Sequence, residues 1–399
     1  MSRMSLVFAL LVACMPLAAA EPFLEAELLS PLEHWHNHSS STVETPGGGL
    51  FVVWFHGSGE RTAADVLILG ARKAAGATEW SKPFVVADRP DFPDTNCTMF
   101  IDQQQRLWLF WPTIIANEWH TALMNFKVSS DYERPGQPSW QREGNLLLKH
   151  DMEAFEKKVR ERVMRDLRTA HGARLEYLHR QLGKAGDKYF SRMGWMTRTH
   201  PMQLASGKML VPLYSDGYDF SLVALSDDNG ETWHPSEPLV GYGSIQPSIL
   251  QRKDGTLVAY MRDNGPAPKR IHVSTSPDEG ETWTRVVDTE LPNPGASVEG
   301  IVLDDGRWLL VYNDLERGRN SLAVSLSDDE GKTWKWTRHL ELDERATDPT
   351  RFHYPSMIQG RDGSIHVTYS YFLEHVPSDA PRKSIKHAKF NVEWVVEGE

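Results

Sequence analysis

The chain has 399 residues, enough for two ordinary domains or one large repetitive one, and its 40% hydrophobic and 24% charged content excludes a disordered or collagen-like polymer. Lys and Arg number 43 against 54 Asp and Glu, a net charge of −11 with no basic run, so a surface that tracks nucleic-acid phosphates is excluded. The 14 Trp, 24 Pro and 29 Gly point instead to many short strands joined by turns, an all-β fold.

Residues 1–20 read as a secretory signal: Arg3 is the positive end, Leu6 to Val12 are apolar, and Ala18-Ala19-Ala20 offers a small-residue cleavage site before Glu21. The mature protein is expected to be secreted or periplasmic. The stretch Leu11-Val12-Ala13-Cys14 also resembles a lipoprotein cleavage box, which leaves anchoring through Cys14 as an alternative. No later stretch reaches the ~18 apolar residues of a spanning helix, so no spanning membrane segment is expected. Without the signal, Cys97 stands alone and no internal disulfide can form. Beside Met99-Phe100-Ile101 it reads as an inert buried thiol.

Along the chain, turn-led apolar strands begin at Gly48, Gln105, Gly207, Gly255, Gly306 and Gly363, spaced by 57, 102, 48, 51 and 57 residues. The 102 is one period plus an insertion. That insertion, about residues 149–185, carries Met152, Phe155, Val159, Val163 and Leu167 at helical spacing, followed by Leu175, Leu178 and Leu182. It predicts a helix or helical hairpin laid over one face, serving as a lid, a dimer contact or decoration. Three later segments share Ser-x-Asp-x-Gly-x-Thr-Trp: Ser226 to Trp233, Ser276 to Trp283 and Ser327 to Trp334. The pattern is that of a hairpin turn: Asp accepts backbone N–H groups, Gly takes the positive φ and Trp packs the returning strand. Degenerate copies end at Trp80 and Trp140. Six units of this size predict a six-bladed β-propeller filling residues 21–399 as one domain, in which the Asp-x-Gly turns are structural.

These boxes and their period resemble the sialidase superfamily, in the branch of predicted neuraminidases. The resemblance implies an arginine-lined pocket for a sugar carboxylate and a tyrosine nucleophile. Arginine suits the task because its planar fork meets a carboxylate with two hydrogen bonds and stays charged. By resemblance Arg262 and Arg319 match two of the family's three arginines, and Tyr354, in His353-Tyr-Pro-Ser, stands where the nucleophile falls. A phenol ionises near pH 10, so Tyr354 needs nearby cations, which Arg262 and Arg319 can supply. The chain departs from the pattern at the first arginine, which aligns with His38, and at the tyrosine's glutamate, which aligns with Gln246, sixteen residues before Arg262. For the acid/base, Glu60 and Asp65 are the candidates, and Arg198, His200 and Arg270 are further pocket candidates. His38 with Tyr354 would also suit β-elimination from a uronic acid, since histidine exchanges protons near neutrality. His34, His36 and His38 alternatively offer a metal site. The reading expects an exo-glycosidase for a terminal acidic sugar, with an acidic glycan as partner and no cofactor or metal. A uronate polysaccharide lyase or unusual glycosidase using His38 and Tyr354, and a non-catalytic glycan-binding propeller, are the alternatives.

Overall fold

The computed structural model describes residues 20–398; residues 1–19, with most of the expected signal and Cys14, lie outside them. Six small antiparallel sheets stand around one axis, as the period predicts. The turn-led apolar runs are the second strand of each blade: Leu50–Gly57, Leu107–Ile114, Met209–Ser215, Leu257–Asp263, Trp308–Tyr312 and Ile365–Phe372. They read as continuous apolar runs because each is covered on both faces by neighbouring blades. The core is accordingly six wedges, one between each adjacent pair of blades: Phe51, Phe55 and Trp111 fill one, Leu322, Tyr369 and Phe390 another.

The first strands are His36–Glu44, Thr98–Ile101, Ser244–Gln251, Glu299–Val302 and Arg351–Gln359. In the third blade the first strand is split into Trp195–Met196 and Met202–Gln203, both paired with Met209–Ser215. These strands line the axis, because bonds cross from one to another. Arg198, in the gap of the split strand, donates to the carbonyls of Pro355 (2.6 Å) and Ser40 (3.4 Å). Glu299 accepts from the backbone N–H and Nδ1 of His200, both at 2.8 Å, and from the Met357 N–H at 3.2 Å. Arg262 thus ends a second strand, one step out from the axis.

Each Asp-box closes the turn from third to fourth strand. In the first, Asp228 accepts from the Thr232 N–H (2.8 Å) and hydroxyl (2.6 Å) and from Ser226 Oγ (2.8 Å). Asp278 and Asp329 repeat the set. Hydrogen bonds from Thr232 hold the Asp228 carboxyl at about 2. Gly230 has φ 83°, and a Cβ there would lie 2.3 Å from the Trp108 ring, so the turn needs glycine for space as well as for conformation. Trp80 and Trp140 close the corresponding turns of the first two blades, before Phe84–Ala87 and Arg142–Asn145.

The insertion folds as two helices, Met152–Leu167 and Ala173–Lys184, and a short third, Lys188–Arg192. Asp151 caps the first by accepting from the N–H groups of Glu153 and Ala154. Phe155, Val159, Val163 and Leu178 pack into the wedge between the second and third blades. The second helix also braces one loop: Tyr177 donates to the Asp219 carbonyl (2.9 Å), Gln181 to that of Tyr218 (3.3 Å) and Lys184 to that of Gly217 (2.6 Å). Finally, Leu24–Leu28 pairs antiparallel with Lys383–Phe390, so the first described strand is the outer edge of the last blade. Cys97 is buried near the Ser39 carbonyl, and burial pushes its thiol up.

Candidate active site

Antiparallel order sends the starts of first and third strands and the ends of second strands to one end of the ring, and the Asp-box turns to the other. At the former end the register sets His38 opposite Phe55, Ile245 opposite Arg262 and His353 opposite Ser370. Immediately after each of these first-strand residues the strand bulges, and the bulge residue is left-handed: Ser39 (φ 56°), Gln246 (φ 56°) and Tyr354 (φ 44°). A non-glycine residue held there costs about 1–3 kcal/mol, a strain typical of functional positions. The bulges of the fourth and sixth blades deliver Gln246 and Tyr354 to the wall of a cavity of about 130 Å³.

Tyr354 is central to that wall. Its hydroxyl accepts from Arg262 Nη1 at 2.8 Å. Its ring lies beneath the guanidinium groups of Arg198 (5.2 Å) and Arg319 (5.5 Å) and stacks on His38, with centroids 4.5 Å apart. Burial alone would raise the phenol, but Arg262, Arg319 and the Gln246 amide outweigh it and hold Tyr354 below its ordinary value. The Oε1 of Gln246 is buried without a hydrogen-bond partner among the described residues, an acceptor left for a ligand hydroxyl.

His38 lines the cavity with Nδ1 2.8 Å from Ser370 Oγ. Burial, then the neighbouring His36 and His353 and the cations of Arg319 and Arg198, keeps its ring neutral, with a pKa well below the ordinary range. Glu60 also lines the cavity, 3.0 Å from His36 Nε2, and that pairing outweighs burial to hold its carboxyl down. Asp216, on the loop braced by the insertion, is a carboxyl that the sequence reading did not find. No hydrogen bond to it is formed among the described side chains, and burial pushes it up to about 6 against the pull of Arg262. Asn264 accepts from Arg262 Nη2 at 2.9 Å and donates to Asp219 at 2.7 Å, which fixes the guanidinium plane.

The structure therefore brings together Tyr354, His38, Glu60, Gln246 and Arg262. Arg319 flanks the group: it bonds His353 Nδ1 (2.8 Å) and the Gly295 carbonyl (2.7 Å) and opens onto an adjoining depression of about 240 Å³ with Arg351. Arg198 lies behind Tyr354 rather than in the cavity wall, its Nη1 and Nη2 donating to backbone carbonyls. Asp65 is exposed and caps a turn, accepting from the Ser58 N–H (3.2 Å) and hydroxyl (2.8 Å). Arg270 pairs with Glu316 away from the cavity. His200 is ion-paired to Glu299 and faces the opposite mouth, where a larger hollow of about 640 Å³ opens at the Asp-box end. Both nitrogens of His200 are engaged there, the second with the Thr42 carbonyl at 2.8 Å, so that hollow's central polar groups satisfy one another.

Asp216, Asn264 and Tyr214 had a detectable signal. The strand starts Leu50, Met209, Leu257 and Ile365 are each followed five residues later by Phe55, Tyr214, Arg262 and Ser370, all at the cavity end. Reading that one slot across the repeats, and the loop after it, finds them.

A ring of six sheets with Asp-box turns and a cation-flanked tyrosine at the opposite mouth defines a sialidase-type propeller. Residues 48–367 match the BNR repeat-like domain family, and the chain belongs to it. Over 129 residues it is 30% identical to a sialidase of Paraclostridium sordellii, covering 28% of this chain and 31% of that protein. It is 24% identical over 208 residues to an anhydrosialidase of Macrobdella decora, covering 47% of this chain and 26% of that protein. The chain thus matches under a third of the length of these relatives. Its fold is similar to that of a Dyadobacter fermentans protein of unknown function (TM-score 0.68, 16% identity, 92% of this chain and 98% of that one). It also resembles the intramolecular trans-sialidase of Ruminococcus gnavus (TM-score 0.66, 14% identity, 90% and 95%).

Proposed function

We propose that this protein is an exported exo-glycosidase of sialidase type that removes a terminal acidic, sialic acid-like sugar with Tyr354 as nucleophile. The observation that carries the reading is the phenol held at 2.8 Å from Arg262 and flanked by two further guanidinium groups. Arg262 and Arg319 on either side of it suit the sugar's carboxylate, and they supply the local positive field that a chain of net charge −11 otherwise lacks. In the first step Tyr354, having released its proton to solvent under the pull of the guanidinium groups, attacks the anomeric carbon through its oxygen, the bond to the leaving oxygen breaks, and Asp216 gives that oxygen its proton. In the second step the Asp216 carboxylate takes a proton from water, the water oxygen attacks the anomeric carbon, and the electron pair returns to Tyr354. Gln246 cannot accept a proton, so the three cations activate the phenol in place of a carboxylate. A cavity of about 130 Å³ is well under the ~300–1,000 Å³ of pockets for drug-sized ligands. It suits one chain-end ring better than an internal stretch of polymer.

A second reading rests on His38, whose neutral ring faces the cavity in contact with Tyr354. There His38 removes the proton beside a uronate carboxylate, the electron pair forms the new double bond, and Tyr354 protonates the departing oxygen. Incubation with a fluorogenic sialoside and, separately, with uronate oligosaccharides decides between them. Hydrolysis releases fluorophore and reducing sugar; elimination yields the ultraviolet absorbance of an unsaturated uronate; a glycan-binding propeller gives saturable binding with neither product.

A further inference from the structure

His36 and His38, two apart on the first strand of the first blade, share a face, and Glu60 reaches them from the loop after the second strand. One ring nitrogen of each histidine and one Glu60 oxygen lie within 4.8 Å of one another. His36 Nε2 is 3.0 Å from Glu60 Oε1 yet makes no aligned hydrogen bond with it. Two ligand atoms so close but not aimed at each other stand near the spacing of adjacent ligands of one ion, since bonds of ~2.1 Å at the tetrahedral angle set their ends ~3.4 Å apart. Ser370 engages His38 Nδ1 and leaves Nε2 free, the usual second partner of a metal-bound imidazole. His38 and Glu60 both line the cavity, so an ion held here keeps an open position toward a ligand.

We propose that His36, His38 and Glu60 form a site for a zinc-class divalent cation whose open position takes the carboxylate of the sugar. The sequence reading expects no metal, and its alternative trio used His34, which is exposed and outside the cluster; Glu60 takes its place. Two imidazoles, one carboxylate and an open position match catalytic zinc and related ions. The ion restores positive charge where His38 stands in place of the family's first arginine; this role rests on the glycosidase reading, while the ion's binding does not. Lys383 opposes it: its Nζ is 3.5 Å from His36 Nδ1 and also lies over Phe372. The nearby guanidinium of Arg319, whose charge disfavours a second cation beside His38, opposes it as well. A second trio, Asp227, His234 and Glu281, is not equivalent, because the Lys208 ammonium already sits 2.7 Å from Glu281 and 3.4 Å from Asp227.

The test is calorimetric titration of chelator-treated full-length protein with zinc chloride, supported by the visible spectrum of the cobalt(II) form. One equivalent is expected to bind, with nitrogen-ligand cobalt bands. Glu60→Gln and His36→Ala abolish it, Ser370→Ala weakens it roughly tenfold, Lys383→Gln tightens it, and His234→Ala leaves it unchanged. Circular dichroism establishes that each variant folds, and Glu60→Gln, at a half-exposed side chain, decides if His36→Ala does not. Absence of stoichiometric binding overturns the proposal, as does binding that survives Glu60→Gln or is lost in His234→Ala. Zinc binding without sialoside hydrolysis would sink the glycosidase reading and leave the site standing; hydrolysis without zinc binding would do the reverse.

Discussion

Replacing Tyr354 by phenylalanine removes a single oxygen and leaves the ring between His38, Arg198 and Arg319. What is lost structurally is the 2.8 Å hydrogen bond from Arg262. A hydrogen bond to a charged group contributes about 1.5–3 kcal/mol. Arg262 borders the cavity and keeps Asn264 as a partner, so the lower end applies, about 1.5 kcal/mol. For domains of 150–250 residues each kcal/mol moves the melting point about 2–4 °C, and this chain is longer, so a fall of about 4 °C or less is expected. Turnover, by contrast, should drop at least about a thousandfold, because the oxygen that forms the covalent intermediate is gone. Glycan affinity should change less than about tenfold, since the arginines remain. Melting curves, sialoside kinetics and calorimetric glycan binding read the three quantities. An ultraviolet difference titration adds a direct check: wild type should show a phenol ionising below the ordinary tyrosine range that the variant lacks. The sign for stability follows. A phenol depressed in the folded state adds stability only in alkaline solution, fully above its unfolded pKa, and that gain is lost as pH falls through the folded value. Turnover within tenfold of wild type would refute the mechanism. A fall in melting point of more than about 10 °C would show the hydroxyl to be chiefly structural.

Asp216→Asn should remove the acid step and, with it, the decline of kcat/KM above about pH 6 that the wild type should show. Because the Asp216 carboxyl is raised from 3.8 to about 6, its burial costs nothing below pH 4 and its full amount above pH 6. The Asn variant should therefore be the more stable at pH 7, by about 1 kcal/mol after discounting for its partial exposure, and equal to wild type at pH 3.5 in urea titrations. Arg198→Met removes the second cation near Glu299, which keeps His200, and leaves the Pro355 carbonyl without its donor, a loss of about 1–3 kcal/mol in chemical denaturation. Gly230→Ala forces a Cβ against Trp108 at positive φ and should cost about 2–4 kcal/mol while kcat stays unchanged, since the Asp-box end is remote from the cavity.

The architecture was legible because repetition multiplies a weak signal. One apolar run after a turn is ambiguous, but six at a near-constant interval locate the second strands at Leu50, Leu107, Met209, Leu257, Trp308 and Ile365. The helical insertion was equally plain from the spacing of Phe155, Val159 and Val163. What it does was not, because the bonds from Tyr177, Gln181 and Lys184 run to backbone carbonyls of residues 217–219, which leave no mark on side-chain pattern. The first strands were also hidden. His36–Glu44 and Ser244–Gln251 are rich in polar residues that bond across the axis, so they do not alternate, and their bulges at Ser39 and Gln246 are not written in residue type. For the candidate site, resemblance singled out Arg262, Arg319 and Tyr354 because those residue types are distinctive, and the fold brings the three side chains to one mouth. Asp216 escaped because an aspartate after a strand reads as a turn residue, and only the fold shows that this one faces Arg262. Asp65 is the converse: the residue type suits acid/base work, and the fold places it on an exposed turn outside the cavity wall.

The pairing of Leu24–Leu28 with Lys383–Phe390 places the first and last described strands in one sheet, so the circle has a single seam. A short linker joining the ends, with a new opening cut in a loop between any two other blades, should yield a permuted protein with the same mouth and the same chemistry. Removing residues 20–30 instead exposes the bare edge of Lys383–Phe390, and pairing of that edge with a second molecule is the expected route to association.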